Sequence, residues 1–140
     1  MYKNWEHIIR DLEKWYNHLL FLIPGNDLPQ GEGFQAMNLN LALSERLLVL
    51  SPKDYDRELK SILLELLPNE GINYVLSGIE ILFDTAITWD VIELLKQVSR
   101  SRNLLVKWPG QYEGGFLVYA TPSHPEFLKI TIEDYHVLNG

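Results

Sequence analysis

The chain has 140 residues, a net charge of −7 at pH 7 and no cysteine, with 46% apolar and 22% charged residues. These values predict a single globular domain, residues 1–140, that buries about two-thirds of its unfolded surface. They exclude a disulfide framework and a thiolate metal site, and the acidic balance disfavours nucleic-acid binding over the whole surface.

The N-terminal sequence and the lengths of the apolar runs predict a cytoplasmic protein. Charges throughout MYKNWEHIIRDLEKW leave no continuous apolar stretch of the kind that a signal peptide has. No apolar run approaches the roughly 18 to 20 residues that a membrane helix needs. We therefore expect no membrane segment.

The first half of the chain shows alternating helix and strand patterns. Apolar residues at three- and four-residue spacing predict an amphipathic helix over 4–17. The run 19–23 is typical of a short strand buried on both faces, and prolines and glycines predict a loop over 24–33. A second strand is expected over 35–39. The helix that follows it should bury four leucines, Leu43, Leu47, Leu48 and Leu50.

The next helix has clear start and stop signals. Ser51 is its expected cap, Pro52 takes the first helical position and Asp54 completes a capping box. Pro68 ends the helix. Its expected buried stripe comprises Tyr55, Leu59, Ile62, Leu63, Leu66 and Leu67.

The second half continues the alternation and defines the fold class. A third strand is expected over 73–76, and a fourth over 104–108. Between them Thr88 is the expected cap of a helix with Val91, Ile92, Leu95 and Val98 inside. A fifth strand is expected over 116–120, and after Pro125 a helix and a strand are equally compatible with the sequence. Strands separated by helices predict an α/β three-layer domain with a mostly parallel sheet.

The strand over 19–23 leads into Pro24-Gly25 as a strand leads into a phosphate-binding loop. That loop binds phosphate through glycine-rich backbone N–H groups, a lysine and a hydroxyl that holds Mg²⁺. The stretch PGNDLPQGEGF has no Lys, Arg, Ser or Thr and adds Asp27 and Glu32. It is also too short to include the helix whose N-terminus completes such a site. The third strand runs into Ser77-Gly78 rather than a magnesium-ordering carboxylate, so we expect no nucleotide cofactor.

Other catalytic patterns are equally incomplete, and the chain is predicted not to be an enzyme. The four histidines show neither HxxxH nor HExxH spacing. Ser123-His124 lacks the glycines of a nucleophile elbow, although Glu126 could orient the imidazole of His124 in this turn. Residual activity of an unconventional site using Glu80, Asp84 or His124 remains the alternative.

The sequence contains more candidate residues for binding a partner than for catalysis. Lys96, Arg100, Arg102 and Lys107 lie in a stretch without acids, which suits an acidic protein partner or a weak phosphate contact. The alternative is a solvated helix end, where cations are favourable. Trp108 ends the fourth predicted strand, at the edge where open parallel sheets bind ligands, and aromatic and arginine side chains are good interface anchors. Simple packing in the core is the alternative for Trp108. The candidate partner-binding residues are Arg100, Arg102, Lys107, Trp108, His124 and Glu126.

Several short motifs together resemble the small P-loop protein of type 3 BREX phage-defence systems, called BrxF. The first is the strand and helix over 38–48. The others are IEILFD, SRSR, WPG and YATPSHPE, at Ile79–Asp84, Ser99–Arg102, Trp108–Gly110 and Tyr119–Glu126. The resemblance covers most of the chain and implies a P-loop NTPase-like fold. It also implies membership of an antiviral complex with a large ATPase, a DNA methyltransferase and an alkaline-phosphatase-like protein.

The sequence departs from that family at the nucleotide site. The Walker A lysine and threonine have no counterpart, and Ser77 stands where the Walker B aspartate is expected. Residues 24–33 are then the remnant of a deleted loop and helix. The favoured hypothesis is a pseudo-ATPase that serves as a non-catalytic interaction subunit. The alternatives are a nucleotide-binding or hydrolysing protein with an unconventional site and an accessory protein that contacts DNA. Self-association is also open. Arg100 and Arg102 are the candidate residues for an interface in which they reach an intact ATPase partner.

Overall fold

The computed structural model describes residues 4–68 and 71–138 and shows an α/β architecture. The prediction of one domain over 1–140 includes residues outside these ranges and stays a prediction. The helices are α1 (Trp5–Leu12), α2 (Leu39–Leu47), α3 (Tyr55–Leu66) and α4 (Val91–Val98). The strands are β1 (Leu19–Leu22), β2 (Phe34–Asn38), β3 (Asn73–Ser77), β4 (Asn103–Lys107), β5 (Gln111–Glu113), β6 (Phe116–Tyr119), β7 (Leu128–Thr131) and β8 (Val137–Leu138).

Five strands form a parallel sheet in the order β2-β3-β4-β1-β8. β1 pairs with β4 on one side and with β8 on the other, so that Phe21 lies opposite both Val106 and Val137. All four residues of β1 are buried, which confirms the predicted strand with two covered faces. None of the described helices is long and apolar enough to cross a membrane.

The two faces of the sheet are covered differently. One face carries the larger core, which includes buried residues of α2, α3, α4 and a 3₁₀ segment at Ile79–Phe83. The opposite face carries a smaller core of Leu12, Leu20, Leu22, Val75 and Leu105, to which α1 contributes. Apolar layers on both sides make the described part compatible with a three-layer α/β domain.

α1 is shorter than predicted. It ends at Leu12 rather than near residue 17, because the N–H groups of Lys14 and Trp15 bond to carbonyls three residues back, at Asp11 and Leu12. Such bonds tighten and end a helix. Trp15 nevertheless packs against the smaller core.

The connection from β1 to β2 contains no helix, as predicted for residues 24–33. Because both strands run in the same direction, this segment must travel from the carboxyl edge of the sheet to the opposite edge. Pro29 is buried on the way, and Leu28 and Phe34 pack against the smaller core. An irregular segment therefore covers part of the face that a crossover helix covers in most parallel sheets.

Two predicted helix caps are wrong. The Ser51 side chain makes no capping hydrogen bond, and Pro52–Asp54 forms a 3₁₀ turn, after which α3 begins at Tyr55. α4 is capped by Asp90, whose side chain accepts from the Glu93 N–H at 3.1 Å.

Thr88 bonds to α3 rather than capping α4. It donates its backbone N–H and its hydroxyl to the Asp56 carboxylate, at 2.7 and 2.6 Å. The hydroxyl bond is the main cause of the lowered pKa of Asp56. Thr88 thus joins the start of α3 to the segment that leads into α4.

The last third of the chain differs most from expectation. The strand predicted over 116–120 does not join the parallel sheet, because β6 is the central strand of an antiparallel β5-β6-β7 sheet. The segment after Pro125 forms a strand, β7. β5 and β8 were not predicted. Gly114-Gly115, with φ of 56° and 86°, turns the chain between β5 and β6, a conformation that glycine adopts without strain.

His136 is a buried titratable side chain beside β1, with 1% of its surface exposed. Its Nδ1 lies 2.7 Å from the Leu19 carbonyl oxygen, which can only accept, so Nδ1 carries the proton. Trp15 packs edge-on against the ring, with centroids 5.4 Å apart. Burial, which disfavours the imidazolium, lowers the pKa of His136 below the ordinary value of 6.5, with nearby Lys96 acting in the same direction.

We expect the free energy of unfolding to fall as the pH drops below about 6.5, because the unfolded chain then binds a proton that folded His136 resists. The contribution of His136 is complete above that pH. For one proton, the decrease in the free energy of unfolding is at most about 1.4 kcal/mol per pH unit. Urea denaturation between pH 7.5 and 5 should show a steeper decline for wild type than for His136→Gln. His7→Gln, at an exposed position, is the control. Equal slopes for wild type and His136→Gln would contradict this assignment.

Candidate functional site

A cleft of about 360 Å³ opens at the carboxyl edge of the parallel sheet. It lies beside the ends of β1, β3 and β4, and is lined by Pro24, Ser77, Gly78, Glu80, Lys107, Trp108 and Pro109. From β1 the chain continues toward β2, whereas from β4 it continues toward β8, on the other side of β1. The β1–β4 junction is therefore a topological switch point, where open α/β sheets bind their ligands.

The β1 side of the cleft is a turn that is fastened to the sheet. The side-chain amide of Asn26 donates to the carbonyls of Ile23 and Leu138, at 2.8 and 3.1 Å. The backbone N–H of Asn26 also bonds to the Ile23 carbonyl, at 3.2 Å. This turn leads into the irregular segment rather than into a helix, so no helix N-terminus faces the cleft from β1.

The β3 side depends on a glycine. Gly78 has φ of 64°, and a Cβ there would lie 2.3 Å from Oδ1 of Asn38. This left-handed turn directs the chain into the 3₁₀ segment, where Ile79 is buried and Glu80 is exposed. Glu80 is therefore the carboxylate of the cleft, and Ser77 takes the strand-end position.

On the β4 side of the cleft, two neighbouring residues differ in burial. Lys107 is exposed and is the cation of the cleft lining. Trp108 is fully buried, and its Nε1 donates to the Val118 carbonyl at 3.0 Å. Its ring packs against Phe21 and Phe83, with centroids 5.8 and 5.5 Å apart. The indole thus links the parallel sheet to β6, and Trp108 is a packed core side chain, which was the alternative to its predicted role as an interface anchor.

The other basic residues do not form one exposed patch with Lys107. Arg102 is 8% exposed and donates through Nη1 to the Val98 carbonyl at 2.9 Å. Lys96 pairs with Glu133 at 3.4 Å. Arg100 is exposed and lies 5.0 Å from the centre of the Tyr16 ring. Arg100 and Arg102 precede β4 whereas Lys107 ends it, about 16 Å away along the strand.

The turn at His124 is exposed and does not contribute to the cleft lining. The Glu126 N–H donates to Nδ1 of the exposed His124 at 3.0 Å, so a backbone group rather than a carboxylate orients the imidazole. Burial is the main cause that raises the pKa of Tyr119, and the charges of Glu126 and Glu80 add to it. Glu80 lines the cleft, whereas Glu126 is not among the lining residues.

Of the six residues predicted to bind a partner, the structure places Lys107 and Trp108 in the cleft lining and Glu126 in the turn with His124. Arg100 and Arg102 lie at the other edge of the sheet, and His124 is in the exposed turn. Glu80 was predicted only for the alternative, unconventional site, and Ser77 and Pro109 were not predicted as binding residues. Their signal is positional, because each lies at or just after the end of a parallel strand.

No group of three or more metal-ligating side chains occurs among residues 4–68 and 71–138. Neither a protein-family model, nor a curated protein, nor a solved structure matches the chain.

Proposed function

We propose that the protein is a non-catalytic interaction subunit of a prokaryotic anti-phage defence complex, with a P-loop-like body that has lost nucleotide binding. The observation that carries the proposal is the junction after β1. Residues 24–33 run to β2 without a helix and without a Lys, Arg, Ser or Thr. The lysine, the hydroxyl and the helix N-terminus that bind phosphate are thus missing after the strand that normally supplies them.

The charge of the cleft supports the same proposal. Lys107 is the cation of the cleft lining and Glu80 is its carboxylate. A nucleoside triphosphate needs several cationic or N–H donors around its phosphates. The carboxylate of Glu80 would instead repel the phosphates in the absence of an ordered Mg²⁺.

The fold and the resemblance supply the biological setting of the proposal. The parallel sheet, with β1 between β4 and β8, is compatible with the P-loop-like body that the BrxF resemblance implies. A body of this kind without a phosphate site still offers surfaces to other subunits. The large ATPase, the DNA methyltransferase and the alkaline-phosphatase-like protein of such systems are the partners to test.

We expect ATP, ADP and a non-hydrolysable analogue, with Mg²⁺ and up to millimolar concentration, to leave the melting temperature unchanged. A ligand at one hundred times its dissociation constant adds about 2.7 kcal/mol of stability, which a thermal-shift titration detects readily. Sodium chloride at matched ionic strength is the control. A saturable shift that Lys107→Gln abolishes and Lys129→Gln retains would contradict the proposal and identify a phosphate site in the cleft.

The interaction role has a separate test. Co-expression with each of the three defence proteins named above should give a stable complex with at least one of them on size-exclusion chromatography. Absence of a complex with all three would refute the defence-subunit role, whatever the nucleotide result.

A further inference from the structure

The most exposed large apolar side chains of the described surface include three on and just after α2. Leu41 is 65% exposed, Leu48 82% and Val49 84%. Leu41 and Leu48 are seven residues apart and lie on the same helical face. We call these three residues the apolar corner. Leu48 was predicted to be a core residue, and the structure corrects this, because Leu43 and Leu47 already occupy the inner face of α2.

A groove adjoins the apolar corner. It has a volume of about 180 Å³ and is lined by Ser44, Leu47, Leu48, Tyr55, Ile81 and Asp84. α2, the start of α3 and the 3₁₀ segment after β3 form its walls. A single exposed leucine is ordinary, whereas adjacent apolar residues beside a groove mark an interaction surface.

We propose that the apolar corner and its groove bind an amphipathic helix of a partner protein, with apolar side chains at i, i+3 or i+4 and i+7 inserted beside Leu48. Such helix-in-groove recognition uses one apolar face of the incoming helix. The proposal rests on the proposed function, because it supplies the contact surface of that interaction subunit.

Charge defines the incoming helix further. Asp84 lines the groove, and its Oδ1 accepts from the Ala86 N–H at 2.8 Å, which leaves an exposed carboxylate. Glu45 is exposed on α2 between Leu41 and Leu48. The basic residue of α2, Arg46, is bonded to Glu65. A lysine or arginine on the rim of the partner helix would face Asp84 and Glu45.

The size and charge of the surface favour a helix over a second copy of this chain. A stable dimer interface commonly involves about 20–30 residues and 800 Å² on each side. The apolar corner and the groove together comprise eight residues. Two copies with a net charge of −7 each would also repel one another.

A pair of synthetic peptides tests the proposal. The probe is an 18-residue fluorescein-labelled amphipathic helix of leucine and lysine, and its counterpart has glutamate in place of every lysine. In fluorescence anisotropy we expect only the lysine peptide to bind. Its backbone amide shift changes should map to residues 41–49, 55 and 81–84.

The double variant Leu48→Ser/Val49→Ser should weaken binding of the lysine peptide at least tenfold without lowering the melting temperature, because both side chains are exposed. Asp84→Asn should weaken it severalfold at low salt. Two control variants should leave binding unchanged. Tyr16→Ser removes an exposed apolar side chain outside the apolar corner, and Glu113→Gln makes on β5 the same charge change as Asp84→Asn.

Equal binding of both peptides, or full binding by the double variant, would overturn the proposal. A wild-type dimer that the double variant converts to monomer in light scattering would overturn it in favour of a second copy. Nucleotide binding in the cleft would refute the proposed function while leaving the groove result intact. A failed peptide test beside an intact defence complex would refute only the groove.

Discussion

Replacement of Trp108 with alanine should lower the free energy of unfolding by about 3–5 kcal/mol, the usual cost of removing a large buried aromatic side chain. Trp108 is the largest fully buried side chain of the described residues. Its loss would leave a cavity between Phe21 and Phe83 and an unpaired carbonyl at Val118. The measurement is urea denaturation followed by circular dichroism.

Two further variants separate packing from hydrogen bonding at this position. Trp108→Phe keeps most of the apolar contact but cannot donate to the Val118 carbonyl, which should cost about 1–3 kcal/mol for an unsatisfied buried group. Tyr16→Ala, at a ring that is 73% exposed, should change stability by less than about 0.5 kcal/mol. A stability of Trp108→Ala within 1 kcal/mol of wild type would contradict the core assignment.

Gly110→Ala should destabilise the protein by about 3 kcal/mol, at the upper end of overpacking costs. A Cβ at Gly110 would lie 1.9 Å from the Val118 carbonyl oxygen and 3.1 Å from Nε1 of Trp108. Because a backbone atom is the obstacle, β6 must move away from Gly110, and the hydrogen bond between Trp108 and Val118 must lengthen. Loss of near-ultraviolet circular dichroism from the indole should accompany the loss of stability.

Gly31→Ala is the informative comparison for Gly110→Ala. Gly31 has φ of 101° and nothing within 4 Å of an added Cβ, so alanine meets backbone strain without a steric clash. We expect a cost of about 1 kcal/mol for a residue forced into that conformation. If Gly110→Ala is no more harmful than Gly31→Ala, the close approach of β6 to Gly110 is not a constraint on the fold.

The parallel sheet could be predicted well because its signals are local. The all-apolar run at 19–22 has few alternatives to a strand buried on both faces. The leucine spacing of α3 and the strand after Gly71 are similarly explicit. Helices were predicted between β2 and β3 and between β3 and β4. Strands connected through a helix normally pair in parallel, so the direction of these strands was predicted from the order of the elements.

The antiparallel sheet was missed although part of its signal was present. Gly114-Gly115 between Tyr112-Glu113 and Phe116-Leu117 is a two-residue hairpin signal. Local alternation, however, does not say which sheet a strand joins. β6 was therefore assigned to the parallel sheet, and its contact with Trp108 was not predicted. The exposure of Leu48 was missed for a related reason. Leucine spacing shows that a helix has an apolar face but does not show how much of that face another element covers.

The position of the cleft can be predicted from the sequence better than the residues that line it. The strand-end rule indicates Ser77 and Trp108, but Glu80 reaches the cleft only because Gly78 takes a left-handed conformation. The four basic residues between 96 and 107 suggested one patch. A strand between Arg102 and Lys107 separates them, and the guanidinium of Arg102 finds a carbonyl partner inside the fold.

The position of β1 between β4 and β8 in the sheet has a consequence for synthesis of the chain. Its first neighbour, β4, begins at Asn103, about 80 residues after β1 ends at Leu22. Translation at about 5–20 residues per second leaves the strand without that neighbour for on the order of 4–16 s. During this interval Leu19-Leu20-Phe21-Leu22 is a short hydrophobic strand with free edges. We expect the nascent chain to depend on chaperone protection until β4 emerges, and a pause in translation between β1 and β4 to favour aggregation.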